Sequence, residues 1–156
     1  MEREEVRALV NQYCHLRDVQ YGAYTAYARR HGLTTHELFV LDIVWFAPDG
    51  VTQGALCRRM SASRQSISAT VGKFVKRGWF AQTAADGDRR ARVIRLTEEG
   101  RRAVGAIIPP AAEAEVSAMG ELTGEEIETL VRLTARFSEA MERRFRRAAE
   151  ESKKEE

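Results

Sequence analysis

The chain is short of several residue types, and each shortage removes a class of protein. Two of its 156 residues are cysteines, Cys14 and Cys57. That is too few for a disulfide framework and fits a reducing cytosol. Nowhere do eighteen apolar residues stand together, and the opening MEREEVRALV holds no long apolar run. Neither a membrane span nor a signal peptide is expected. The three histidines all precede residue 40, so the later helices have none to offer a metal. His36-Glu37-Leu38-Phe39-Val40 begins like a zinc-protease motif but has Val40 where the second histidine is needed. No glycine loop cradles a phosphate, and no nucleophile stands beside a base. The expectation is a protein that is not an enzyme and carries neither metal nor cofactor.

What is present is a core-forming composition, 44% hydrophobic and 31% charged, with its charge unevenly placed. The net charge is +2. Residues 51–96 carry ten Lys/Arg against two Asp/Glu, while 1–50 carry five against seven and 97–156 ten against fourteen. A basic block between acidic flanks is the footprint of a nucleic-acid-binding lobe, or of a solvated basic face. The pattern inside the block has to decide.

The first thirty residues read as one amphipathic helix, with Val6, Val10, Tyr13, Leu16, Gln20, Tyr24 and Tyr27 at spacings of three or four, broken by Gly32. Thr34 and Glu37 form a capping box, with Leu33 and Leu38 as its staple. That helix passes Phe39 and Trp45 and stops before Pro48-Asp49-Gly50. Thr52 caps a short helix over about 53–60. After a tight break, Ser63 caps another that buries Ile67, Val71, Phe74 and Val75 and ends at Gly78. Two short helices so joined make a helix-turn-helix. Residues 80–84 and 91–96 read as strands, with 85–90 as their hairpin tip. Thr97 caps a further helix. Pro109-Pro110 interrupts it and a second piece follows over about 111–119. Thr123, answered by Glu126, starts a last helix through Leu130, Leu133, Phe137, Met141 and Phe145.

A helix-turn-helix followed by a hairpin offers two probes for duplex DNA. The outward face of the second helix holds Arg64, Gln65, Ser66, Ser68, Ala69, Gly72, Lys73 and Lys76, behind the cap Ser63. It contains no carboxylate, which phosphates would repel. Gln65 is suited to adenine, and Arg64 to a guanine or a phosphate. Arg89 and Arg90 at the hairpin tip, with Arg92 beside them, suit a narrow, negative minor groove, and Asp88 is placed to orient one of them.

Residues 33–104 resemble the MarR family of winged helix-turn-helix regulators. The resemblance is carried by Leu33-Thr34, by Ser63-Arg64-Gln65-Ser66-Ile67-Ser68 and by Lys76-Arg77-Gly78-Trp79. Asp88-Arg89-Arg90 and Leu96-Thr97-Glu98-Glu99-Gly100 complete it. It implies a mainly α fold with a small β-hairpin: a winged helix-turn-helix lobe (33–104) and a helical dimerisation lobe (1–32 and 105–149); the charged residues 150–156 read on their own as a disordered tail. It implies a homodimer on a pseudo-palindromic operator of double-stranded DNA, Arg90 in the minor groove and Asp88 as its orienting acid. Gln82, where a basic residue often stands, and Gly72 inside the recognition helix depart from the family pattern.

The resemblance also implies a small, aromatic effector releasing a repressor from DNA, with Tyr13, Tyr24, Phe39 and Trp45 as candidate pocket residues. Aromatics at helical spacing serve equally as core. Cys14, one residue after Tyr13, is similar in place to the reactive cysteine of the family's peroxide-sensing branch, which gives a redox-sensing alternative. A winged module that binds protein instead of DNA is the other.

Overall fold

The computed structural model describes residues 1–85 and 88–152, and the side chains of all of these except 85 and 88–91. Helices dominate, and side chains that satisfy orphan amides set most of their starts. α1 (Arg3–Arg30) opens on Glu2 and Glu5 and gives way at Gly32, whose φ is 68°. α2 (Thr35–Trp45) opens on the expected box: Glu37 N donates to Thr34 Oγ1 at 3.2 Å and Thr34 N to Glu37 Oε2 at 2.9 Å. α3 (Gln53–Met60) and α4 (Arg64–Lys76) are capped by Thr52 and Ser63, whose hydroxyls accept from Ala55 N and Ser66 N. α5 (Glu98–Gly105) is capped by Thr97, and α7 (Gly124–Ser152) by the Thr123–Glu126 box.

Between them lies a three-stranded antiparallel sheet, β1 (Val51–Thr52), β2 (Phe80–Ala85) and β3 (Asp88–Leu96), in the order β1-β3-β2. Four expectations change here. β3 begins at Asp88, so the strands run past the expected tip and only 86–87, outside the described residues, separate them. β1 was not expected at all; it is a two-residue strand squeezed between a turn and the α3 cap, pairing Val51 with Ile94 and Thr52 with Val93. α6 (Ile108–Met119) starts ahead of the prolines, which occupy its first turn, where a missing amide hydrogen costs no intrahelical bond. Finally, α7 reaches Ser152, so the first three residues of the expected tail are helical.

The core is built where α4 meets α2, α3 and the sheet. Ile67, Val71 and Phe74 of α4 are wholly buried with Leu41, Val44, Leu56 and Ile94. Val75, expected inside, is 40% exposed, and Thr70 is buried instead. At about 100° per residue, Thr70 lies on the same side as positions 67, 71 and 74, and position 75 turns away from it. Trp79 stacks on Phe74 with ring centroids 5.5 Å apart, and Phe80 packs on the same ring at 5.1 Å.

The contacts of the chain divide it into two units, Met1–Pro110 and Ala111–Glu156. In the first, α1 packs on α2, where the Thr25 and Thr35 hydroxyls meet at 2.9 Å, and Tyr27 OH donates to Ile107 O, just past α5, at 2.7 Å. Val6, Leu9, Val10, Tyr13 and Leu16, nearer its start, stay exposed. In the second unit α7 buries none of its residues, and Leu130, Leu133, Phe137, Met141 and Phe145 are all exposed.

The root of the hairpin is joined to α5 through one close approach. Thr97 N donates to Trp79 O at 3.0 Å, and Thr97 Oγ1 to Gly78 O at 2.6 Å. A Cβ on Gly100 would collide with the Trp79 carbonyl, and backbone, unlike a side-chain end, cannot swing aside. Gly100→Ala is therefore expected to destabilise the fold by roughly 1–3 kcal/mol, read as a lowered midpoint in urea unfolding. An unchanged midpoint would contradict this packing.

Candidate nucleic-acid interface

The outer face of α4 follows from its inner one. With Ile67, Thr70, Val71 and Phe74 turned inward, Arg64, Gln65, Ser66, Ser68, Ala69 and Lys76 are all exposed, as is the cap Ser63. A Cβ on Gly72 would meet nothing within 4 Å, so the helix has a shallow gap there between Ala69 and Lys76. Past its end, the Arg77 guanidinium lies 5.2 Å from the centre of the Trp79 ring, itself stacked on Phe74. A cation held this way keeps its charge at the surface in a fixed place.

Lys73 differs from its neighbours. It is half-buried, and its ammonium donates to Glu37 Oε1. Glu37 itself is 7% exposed. Burial pushes its carboxyl up, but the Lys73 hydrogen bond, the Thr34 amide and the charges of Lys73 and Arg77 together outweigh this and hold it below the usual carboxylate range. His36 is half-buried, with Nε2 3.3 Å from Ser66 Oγ. Sequence reasoning missed the pairing of His36 and Glu37 with α4. The capping-box motif accounted for Glu37 within its own helix, and nothing in sequence spacing links residues some thirty positions apart.

On the hairpin, Arg92 is exposed, and Arg95 Nη1 donates to Thr83 Oγ1 across the strands at 2.9 Å. Asp88, Arg89 and Arg90 stand on β3, but the expectations about their side chains lie outside the described residues. Gln82 is exposed on β2.

The candidate effector residues come together only in part. Tyr24 and Tyr21 meet the Phe39 ring edge-on, at 5.3 and 6.4 Å. Trp45 lies at the far end of α2, beneath Arg101, whose guanidinium is 5.6 Å from its ring centre. Tyr13 is eleven residues from Tyr24 along α1, about 16 Å of helix. Cys14 is half-buried on α1 and Cys57 packs against the core. Among the described residues no group of three His, Cys, Asp or Glu is placed to hold a metal, and no helix is long and apolar enough to cross a membrane.

The model of the MarR family matches residues 31–91, which span α2, the helix-turn-helix and most of the hairpin. That match covers the winged-helix lobe, 61 of the chain's 156 residues. Over 96 residues the chain is 29% identical to the transcriptional activatory protein BadR of Rhodopseudomonas palustris, covering 60% of this chain and 53% of BadR. Over 91 residues it is 26% identical to the transcriptional regulator HosA of Escherichia coli O111:H-, covering 58% of this chain and 67% of HosA. The chain thus spans about half to two thirds of these relatives. A crystal structure of MepR from S. aureus in its DNA-binding conformation matches the fold with a TM-score of 0.75 at 15% identity, covering 85% of this chain and 98% of MepR.

The ion pair between this lobe's α2 and α4 gives a pH dependence of known sign. Because Glu37 has a lowered pKa in the folded protein, the unfolded chain takes up its proton first on acidification. The stabilisation is complete above the ordinary carboxylate range and disappears as pH falls through the folded-state pKa. Glu37→Gln never has it. Melting temperatures of the two proteins are expected to converge from about pH 6 to about pH 3; a constant gap would contradict the pairing.

Proposed function

We propose that the protein is a homodimeric transcriptional regulator that reads duplex DNA with α4 in the major groove and the β2–β3 hairpin in the adjacent minor groove. The observation that carries this reading is the outer face of α4: exposed, polar and cationic, with no carboxylate on it. Gln65 is assigned to a base edge and Arg64 to a guanine or phosphate. Ser66, Ser68 and Ala69 permit close approach. Arg89, Arg90 and Arg92 supply the hairpin's charge, and Asp88 orients Arg90. The DNA-binding conformation known for MepR supports the same use of the fold.

Two finer assignments belong to the proposal. The exposed apolar stripes of α1 and α7 are faces that a second copy would cover about a twofold axis. The Tyr21–Tyr24–Phe39 aromatic cluster supports a small aromatic effector that loosens a repressor from its operator. BadR, an activatory protein, belongs with the opposite sign of control, which a promoter–reporter assay with and without the protein distinguishes.

The test is selection from a library of random duplexes. The enriched sequence is expected to be a pseudo-palindrome with half-site centres about 10 bp apart, one turn of DNA. On that duplex Arg90→Ala should weaken binding across all sequence variants by roughly 1–3 kcal/mol. Gln65→Ala should relax preference at one position per half-site by roughly 1–3 kcal/mol. Failure to enrich any duplex would sink the reading, and an Arg90→Ala protein that binds like the wild type would remove the hairpin from it.

The dimer has its own check. Phe137→Asp with Leu133→Asp puts charges into the α7 stripe. Sedimentation at micromolar concentration is expected to show a dimer for the wild type and a monomer for the double variant. A wild-type monomer would contradict the assignment.

A further inference from the structure

Two consecutive residues in the first turn of α2 each hold a different residue of α4. His36 Nε2 lies 3.3 Å from Ser66 Oγ, and Glu37 Oε1 accepts from Lys73 Nζ. Ser66 and Lys73 are seven residues apart, so their backbone positions lie about 10 Å apart, two turns along one side of the helix. The grip is also tied down at its base. Glu37 Oε2 accepts from Thr34 N at 2.9 Å, so the carboxylate cannot leave Lys73 for solvent without disturbing the cap of its own helix.

We infer that the first turn of α2 is a two-point mount for the recognition helix, with His36 and Glu37 as positioning residues and Lys73 as the cation of the mount instead of a phosphate contact. The inference rests on the DNA-binding reading above. The apolar side of α4 sets how deep the helix sits, but apolar contacts are non-directional. Directional contacts to residues two turns apart oppose its roll and tilt, which decide whether Arg64 and Gln65 meet the same base step each time. The charge distribution agrees. A carboxylate in a basic, DNA-facing lobe repels phosphate unless it is neutralised locally. Here Glu37 is buried against an ammonium, and Lys76, one turn further on and exposed, is the lysine of α4 left for DNA.

The test uses the full-length protein and the duplex enriched by selection, with fluorescence anisotropy at a series of salt concentrations. The variants are Glu37→Gln, Lys73→Met, Lys73→Arg and Lys76→Met. Glu37→Gln removes a negative charge, so charge alone would tighten binding. The mount predicts weaker binding, by roughly fivefold or more at fixed salt, with an unchanged slope of log affinity against log salt. Lys73→Met should behave likewise, and Lys73→Arg, which can still pair with Glu37, should restore affinity. Lys76→Met, by contrast, should reduce the slope by about 0.9 for each phosphate that Lys76 neutralises.

Tighter binding by Glu37→Gln, or a slope reduced by Lys73→Met as by Lys76→Met, would overturn the inference. If no duplex is bound by the wild type, the regulator reading itself fails, and thermal unfolding still decides the mount. Glu37→Gln and Lys73→Met together should then cost clearly less than the sum of the two alone, whereas strict additivity would overturn it.

Discussion

The burial of one face of α4 is the constraint on which the rest of this structure depends. Ile67, Val71 and Phe74 have no exposed surface, and Phe74 reaches beyond its own helix. It is the ring on which Trp79 stacks and against which Phe80 packs, so the helix end, the turn at Gly78 and the root of the hairpin share one anchor. Truncating such a residue to alanine typically costs about 3–5 kcal/mol, a large part of what a small domain has in total. The same anchor places Arg77, whose guanidinium lies over the Trp79 ring. Core packing and the placement of surface charge are thus one arrangement in this lobe.

A buried inner face dictates an outer one, and that outer face has the chemistry of a nucleic-acid probe. Serine and threonine hydroxyls cap α2, α3, α4 and α5. Glu37, the buried carboxylate among the described residues of this lobe, is paired within it. α4 is therefore held from beneath by apolar contact and from the side by directional bonds. Its exposed surface is left polar and cationic.

Most of this lobe was legible in the sequence because its signals are local. Caps at Thr34, Thr52, Ser63, Thr97 and Thr123 marked the helix starts, and Gly78 marked the end of α4, since capping needs residues only two or three positions apart. What was not legible was non-local or marginal. β1 is two residues long and exists only because β3 lies beside it. Pro109 and Pro110 read as a break because their missing donors are costly inside a helix, whereas in a first turn they cost nothing. Val75 sits at the edge of the buried face, where one residue of helical rotation decides its exposure. The outward list on α4 followed from periodicity, yet Lys73 and His36 could be understood only once α2 and α4 were placed side by side. The aromatic candidates fared least well as a group. Tyr24 and Phe39 touch, but Tyr13 and Trp45 lie elsewhere along their helices, because periodicity reports a shared face and not a shared depth.

Counterion release directly measures whether the charge of this lobe meets phosphates, as proposed. Fluorescence anisotropy of the enriched duplex, titrated with the wild-type protein between 50 and 200 mM salt, is the measurement. With roughly six to ten phosphate contacts per dimer, affinity is expected to fall by about 10³-fold or more across that range. A flat response from folded, dimeric protein would contradict the account.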